Sequence, residues 1–103
     1  MLPLIEQHRA EIEALCRKYR VKRLDLFGSA ARGTDFNPHT SDVDFFYEFM
    51  EGDTADIADR FFGLIEDLQK LTGLKVDLVS AKDAKNPYFL QVANRDRLTL
   101  YAA

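Results

Sequence analysis

Apolar residues recur at helical spacing in three stretches of the chain. Residues 4–19 and 55–71 are long enough to form amphipathic helices. Thr54 can cap the second helix, and Gly73 suits the position just after its end. A shorter third helix is predicted over residues 86–93, where an Asn-Pro pair precedes apolar positions. The apolar stripe of the first helix is Leu4, Ile5, Ile12, Leu15, Cys16 and Tyr19, and that of the second is Ile57, Phe61, Leu64, Ile65, Leu68 and Leu71.

Four other stretches have the character of strands. The first covers residues 21–27, and the second, residues 42–49, is dense in aromatic side chains. Residues 51–53 break the second strand, and residues 74–79 form the third. The tail, residues 97–102, is a last short strand. Because the aromatic residues of the second strand put bulk on both of its faces, we expect both faces to be covered.

This order of elements predicts an α/β (α+β) fold in which a small mixed β-sheet is flanked by helices. We expect a single domain over residues 1–103. The chain is 47% hydrophobic and 30% charged, a composition that excludes a disordered protein. No apolar run approaches the ~20 residues of a membrane span, so we expect no membrane association. A domain of this size has a modest core, which favours work with a partner chain.

Charge and cysteine content narrow the class of protein further. Fourteen basic and seventeen acidic residues give a net charge of −3, so we expect no direct nucleic-acid binding through bulk charge. The single cysteine, Cys16, cannot form an internal disulfide, which suits a reducing, cytoplasmic location. Because Cys16 continues the apolar stripe of the first helix, we expect it in the core and not as a nucleophile.

Three aspartates interrupt otherwise apolar strands. Asp42 and Asp44 lie two positions apart and therefore project from one face of the second strand, and Asp77 lies in the third strand. Carboxylates at such positions are costly to ionise unless a cation or hydrogen bonds satisfy them, and neighbouring carboxylates repel one another. Two Mg²⁺ ions about 4 Å apart would relieve this repulsion and support phosphoryl-type transfer. The alternative is a solvated strand face on which acids alternate with other residues.

A turn-rich segment after the first strand carries the second chemical feature. Gly28 and Ser29 follow the strand and open a predicted helical turn over residues 29–32. Glycine lets a ligand approach the backbone, and the N–H groups at the start of a helix bind phosphate. Arg32 is placed to contact the same anion, although it also fits an ordinary surface charge. This turn together with three acids is much less expected by chance than any one feature alone.

The combined motifs resemble the polymerase-beta-type nucleotidyltransferase superfamily. More narrowly, they resemble the minimal nucleotidyltransferases (MNT proteins) that are paired with HEPN-domain toxins. The stretches LFGSAARG, SDVDFFYEF and VDLVS carry the resemblance, which extends over nearly the whole chain. The family signature of Gly-Ser, spacer, Asp-x-Asp and later acid maps onto Gly28, Ser29, Asp42, Asp44 and Asp77. The spacer, residues 30–41, has twelve positions and is longer than the family usually has.

The resemblance implies a nucleotidyltransferase fold and transfer of AMP from ATP to a hydroxyl group, with two Mg²⁺ ions as cofactors. Asp42 and Asp44 would bind both ions. Asp77 would bind the catalytic ion and help to deprotonate the acceptor. Gly28 and Ser29 would hold the β- and γ-phosphates. Arg32 would make a further contact with the phosphates.

The resemblance also implies a partner and a biological role. The acceptor would be a tyrosine of a HEPN ribonuclease toxin, and the chain would act as its antitoxin in a hetero-oligomer, or as a homodimer when alone. Two other functions stay open. The longer spacer and the small size suit a protein that neutralises the toxin by binding alone. The other open function is that of a catalytic domain that transfers a nucleotide to a small hydroxylated molecule, although enzymes of that kind usually carry a second domain.

Overall fold

The computed structural model describes residues 1–52 and 54–103, so Asp53, part of the predicted break after the second strand, lies outside the described residues. The helices are α1 (Pro3–Gln7), α2 (Arg9–Lys18), α3 (Ser29–Arg32), α4 (Ile57–Thr72) and α5 (Pro87–Asn94). The strands are β1 (Val21–Phe27), β2 (Val43–Phe49), β3 (Val76–Ser80) and β4 (Leu98–Ala102). Within the described ranges, no helix is long and apolar enough to cross a membrane.

The four strands form one mixed sheet in the order β3-β2-β1-β4. β1 runs antiparallel to both β2 and β4, whereas β2 and β3 are parallel and are connected through α4. In β2, Asp44 pairs with Phe27 of β1 on one side and with Asp77 of β3 on the other. The predicted small mixed sheet flanked by helices is confirmed.

The main core lies between one face of the sheet and the helices α1, α2 and α4. Leu26 of β1 pairs with Phe45 of β2, which pairs with Leu78 of β3, so these side chains share that face. Cys16 is fully buried in the same core, as predicted, and burial raises the pKa of its thiol to about 12. The buried helical residues of the core include Ile5, Ile12, Leu64 and Leu68.

The opposite face carries a smaller apolar cluster under α5. Phe27 and Phe46 stack with ring centroids 4.2 Å apart, and Ala93 of α5 is buried against them. The edge of Phe89 contacts both rings. Phe45 and Phe46 are thus buried on opposite faces of β2, which confirms the prediction that this strand is covered on both sides.

Several boundaries differ from the sequence prediction by one residue, and three differences are larger. The first helix is split at His8, whose backbone (φ −100°, ψ 16°) departs from helical geometry and whose Nδ1 lies 2.5 Å from Glu11 Oε2. α4 begins after Asp56 and not after Thr54, and at this start the Asp56 carboxylate forms an exposed ion pair with Arg20 at 2.6 Å. The third strand begins at residue 76 instead of 74.

Candidate active site

The three predicted acids are brought to one end of the parallel strand pair. Asp44 and Asp77 are in register near the start of β2 and β3, so their side chains project from the face that α5 partly covers. Asp42 is exposed and lies one residue before β2. Burial, and then the negative charges of Asp77 and Asp42, raise the pKa of the Asp44 carboxyl to about 6. The local electrostatic field at Asp44 therefore favours a proton or a cation.

The donor set suits a hard divalent cation, because it consists of carboxylates whose mutual repulsion a cation relieves. Among the described residues, however, no three His, Cys, Asp or Glu side chains are grouped closely enough to hold a metal ion. Mg²⁺ is usually bound by one or two carboxylates together with water and phosphate oxygens, and not by an all-protein cage. The residues therefore fit an ion that arrives with a triphosphate and completes its coordination with phosphate oxygens.

Gly28 brings the turn after β1 directly against Asp44. Its φ of +72° is one that L side chains rarely adopt, and a Cβ at this position would lie 2.9 Å from Asp44 Oδ2. The carbonyl oxygen of Gly28 accepts hydrogen bonds from the N–H groups of Ala31 and Arg32 and so starts α3, the helical turn predicted from the sequence. Glycine at this position is thus required both by the backbone conformation and by the carboxylate beside it.

A cleft of about 240 Å³ lies between this turn and α5. Four of the six predicted site residues line it, namely Gly28, Ser29, Arg32 and Asp44. Its opposite wall is apolar and consists of Phe89, Val92 and Ala93 of α5. Asp42 and Asp77 do not line the cleft, and their closeness to it is shown by their effect on the pKa of Asp44.

Arg32 lies at the rim of the cleft with its guanidinium already bonded. Its Nε and one terminal nitrogen donate to Asp35 at 3.0 and 2.8 Å, and the other terminal nitrogen donates to Asp96 at 3.0 Å. Hydrogen bonds to Asp35 first, and then to Asp96, raise the pKa of Arg32. These bonds use three of the five N–H donors of the guanidinium, so a phosphate at Arg32 would share the side chain with two carboxylates.

The long spacer between Ser29 and Asp42 is folded into a closed turn. The Asn37 carbonyl oxygen accepts hydrogen bonds from the N–H groups of Thr40 and Ser41 at 3.1 and 2.7 Å. The side-chain oxygen of Asn37 accepts from the N–H of His39, and Phe36 packs against the main core. The additional length is thus closed by its own hydrogen bonds, and β2 begins in the register that places Asp44 beside Gly28.

Another strand aspartate, Asp25, lies on the same face of the sheet as Phe27, and its burial was not predicted from the sequence. It is fully buried, and its carboxylate accepts hydrogen bonds from Arg23 Nε at 3.0 Å and from Arg97 Nε at 2.5 Å. The guanidinium of Arg97 lies 4.4 Å from the ring centroid of Phe46, beneath α5. The available signal was the alternation of Asp25 with Phe27 in VKRLDLF, the same pattern that identified Asp44.

Comparisons with known proteins identify the family of this chain. The family model described as the nucleotidyltransferase domain matches residues 9–99. A protein of Methanocaldococcus jannaschii assigned as a protein adenylyltransferase is 42% identical over 79 residues, which make up 77% of this chain and 76% of that protein.

Solved structures share the fold. A structure described as a minimal nucleotidyltransferase superposes with a TM-score of 0.71 at 29% identity and covers 91% of this chain and 90% of its own. A complex of a tri-AMPylated HEPN toxin from Shewanella oneidensis with its MNT antitoxin superposes with a TM-score of 0.62, covering 95% of this chain and 72% of its own. At 17% identity, that second likeness shows the fold alone. The family match over most of the chain, with a relative above 30% identity, shows that the chain belongs to the nucleotidyltransferase family of enzymes.

Proposed function

We propose that this nucleotidyltransferase transfers AMP from ATP to a hydroxyl group of a partner protein, in a reaction that requires Mg²⁺. The observation that carries the proposal is the close approach of Asp44, with its raised pKa, to the positive-φ turn at Gly28. The name of the archaeal relative supports protein as the acceptor class. The complex of an AMPylated HEPN toxin with an MNT antitoxin among the structural neighbours supports a HEPN toxin as the acceptor and an antitoxin role. A tyrosine as the modified residue and a cytoplasmic location are further parts of the proposal.

In the proposed reaction, the turn at Gly28 and Ser29 holds the β- and γ-phosphates through backbone N–H groups and the serine hydroxyl. Asp42 and Asp44 would hold two Mg²⁺ ions, and bound Mg²⁺ would neutralise the triphosphate and stabilise charge on the leaving oxygen. Asp77 accepts the proton of the acceptor hydroxyl, directly or through water. The acceptor oxygen forms a bond to the α-phosphorus, the bond from that phosphorus to the bridging oxygen breaks, and pyrophosphate leaves.

The proposal is tested by transfer of label from [α-³²P]ATP to a HEPN-domain protein mixed with this chain. With Mg²⁺ present, we expect the label on the partner. Asp44→Asn keeps the shape of the side chain but removes the negative charge that would hold Mg²⁺, so we expect it to abolish transfer. Asp59→Asn is the matched control, since Asp59 is an exposed acid in the first turn of α4 and lies outside the site. Equal loss of transfer in both variants, or full transfer in Asp44→Asn, would contradict the proposal.

The alternative of neutralisation by binding alone is favoured by one observation, which is that Arg32 is occupied by Asp35 and Asp96. Calorimetry separates the two functions. If the enzymatic proposal is correct, Mg-ATP binds to the chain and binding is lost in Asp42→Asn. A chain that binds no Mg-ATP, yet protects cells from the HEPN protein, would be a binding antitoxin.

A further inference from the structure

The outer face of α5 is apolar, although it is exposed to solvent. Tyr88 is 80% exposed and Val92 is 57% exposed, and the two side chains lie one turn apart on the same side of the helix. The inner face is apolar as well, because Leu90 and Ala93 lie in the smaller apolar cluster of the sheet. An apolar stripe that covers both faces of a helix is wider than packing against one sheet requires. The outer ridge of α5, formed by Tyr88 and Val92, is therefore a surface that a second molecule can cover.

The outer ridge of α5 continues into the active-site cleft. Val92 belongs to both, since it lines the cleft together with Phe89 and is also more than half exposed. Tyr88 lies outside the cleft, one turn nearer the start of the helix. A molecule that covers the ridge therefore lies at the mouth of the cleft, across from Asp44.

Two exposed cations flank the outer ridge. Lys85 lies two residues before α5 begins, and Arg95 continues the line of the ridge in helical conformation at the end of α5. Over the part of the chain that the structure describes, neither side chain forms an ion pair. The acids nearest to them in sequence lie elsewhere, since Asp96 pairs with Arg32 and Asp83 lines a separate groove. The surface that complements this ridge is apolar at its centre and carries carboxylates at its edge.

We propose that the outer ridge of α5 is the docking site of the protein that accepts AMP, and that this acceptor presents an apolar surface edged by Asp or Glu side chains. The inference rests on the proposed function, because docking here brings a hydroxyl group of the acceptor to the mouth of the cleft. A second copy of the chain is disfavoured as the occupant. A symmetric dimer through the ridge would bring Lys85 and Arg95 of one copy against the same cations of the other.

The first test measures the affinity of the full chain for the HEPN-domain protein of the transfer assay by calorimetry. Tyr88→Ser should weaken this binding about tenfold, because it removes an aromatic side chain that the partner would bury. Phe62→Ser is the matched control, since Phe62 is 66% exposed but lies on α4, away from the ridge, and it should leave the affinity unchanged. Mg-ATP binding should be the same in both variants and the parent, because neither side chain lines the cleft.

The second test addresses the charged rim. The double variant Lys85→Glu, Arg95→Glu should weaken binding about tenfold at low salt and by less at about 0.5 M salt, where charge interactions are screened. The double variant Lys22→Glu, Lys70→Glu changes the net charge equally at exposed cations that already have acidic partners away from the ridge. It should bind the HEPN-domain protein nearly as well as the parent does.

The outcomes separate this inference from the proposed function. If no AMP is transferred but the ridge variants alone weaken the complex, the docking site is correct and the proposed reaction is wrong. Full affinity in Tyr88→Ser, equal losses in Tyr88→Ser and Phe62→Ser, or no complex with the parent chain would overturn the docking site, whether or not AMP is transferred. A dimer of the chain alone that Tyr88→Ser dissociates in sedimentation would also overturn it, since a second copy would then be the occupant.

Discussion

The carboxylate of Asp44 occupies the space next to Gly28 that a side chain at position 28 would need. A Cβ at Gly28 would lie 2.9 Å from Asp44 Oδ2, and the backbone at Gly28 has a φ of +72°. The glycine therefore does more than permit a turn, because its missing side chain is what allows the proposed phosphate-binding loop and the proposed metal-binding acid to touch. The two halves of the sequence motif, separated by the long spacer, are complementary parts of one small surface.

We predict that Gly28→Ala destabilises the fold and abolishes Mg-ATP binding, because the methyl group displaces the Asp44 carboxylate. Gly73→Ala is a close control, since Gly73 also has a φ of +72° but a Cβ added there would meet no atom within 4 Å. The backbone strain alone should cost about 1–2 kcal/mol in either variant, and urea unfolding would measure it. Only Gly28→Ala should lose nucleotide binding by calorimetry. Normal binding in that variant would show that Asp44 can move aside freely.

Asp44→Asn should make the metal-free protein more stable at about pH 8. The raised pKa of about 6 means that the folded state holds the proton of Asp44 more tightly than the unfolded state does. Its stabilising contribution is therefore complete below the ordinary pKa of 3.8 and is lost as the pH rises through 6. Asparagine carries no charge and avoids that loss, so we expect the free energy of unfolding at about pH 8 to rise by about 1–2 kcal/mol. This is less than the full pKa shift would give, because solvent screens the charge.

The measurement is urea unfolding of both proteins in EDTA, at about pH 8 and again at about pH 4. The difference should shrink at the lower pH, where Asp44 is protonated in the folded state and partly protonated in the unfolded state. A variant that is less stable than the parent at both pH values would mean that the ionised carboxylate makes stabilising contacts, and would contradict its repulsion by Asp77 and Asp42.

The parts of the fold that follow local patterns were predictable. The alternation of apolar and acidic residues in β2 gave both its buried faces and the position of Asp44. The Asn-Pro pair correctly placed the start of α5, since the Asn86 side chain accepts hydrogen bonds from the N–H groups of Tyr88 and Phe89. Gly73 ends α4 in the left-handed conformation, as predicted. Each of these features depends on residues within a few positions of one another.

The parts that were missed depend on contacts between distant residues. Asp25 is buried because Arg97, 72 positions later in the chain, pairs with it. Local sequence shows the acid and its near partner Arg23 but not Arg97, and the alternation of Asp25 with Phe27 was the one local sign that this carboxylate is inside. The ion pair at the start of α4 likewise joins distant positions, because Arg20 is 36 positions from Asp56. The state of Arg32 depends on Asp96, on the far side of α5 in the sequence.

Cys16 should be inert to thiol reagents in the folded protein. The thiol is fully buried, and burial raises its pKa to about 12, so almost no thiolate exists at neutral pH. Reaction with a chromogenic disulfide should therefore proceed only through unfolding, at a rate that follows the unfolded population as urea is added. Rapid labelling without urea would show that α2 opens locally.

Arg97→Ala should be among the most destabilising substitutions on the α5 side of the sheet. It removes one of the two cations from the buried Asp25 carboxylate and uncovers the ring of Phe46, so we expect a cost of about 2–3 kcal/mol in urea unfolding. Lys70→Ala is the control, because its ion pair with Glu66 is exposed and should leave the unfolding midpoint nearly unchanged. Because Phe46 supports Phe89 in the wall of the cleft, Arg97→Ala should also weaken Mg-ATP binding under conditions where it remains folded. If Arg97→Ala is less stable but binds Mg-ATP as well as the parent protein does, the Asp25–Arg97 pair stabilises the core and does not affect the cleft.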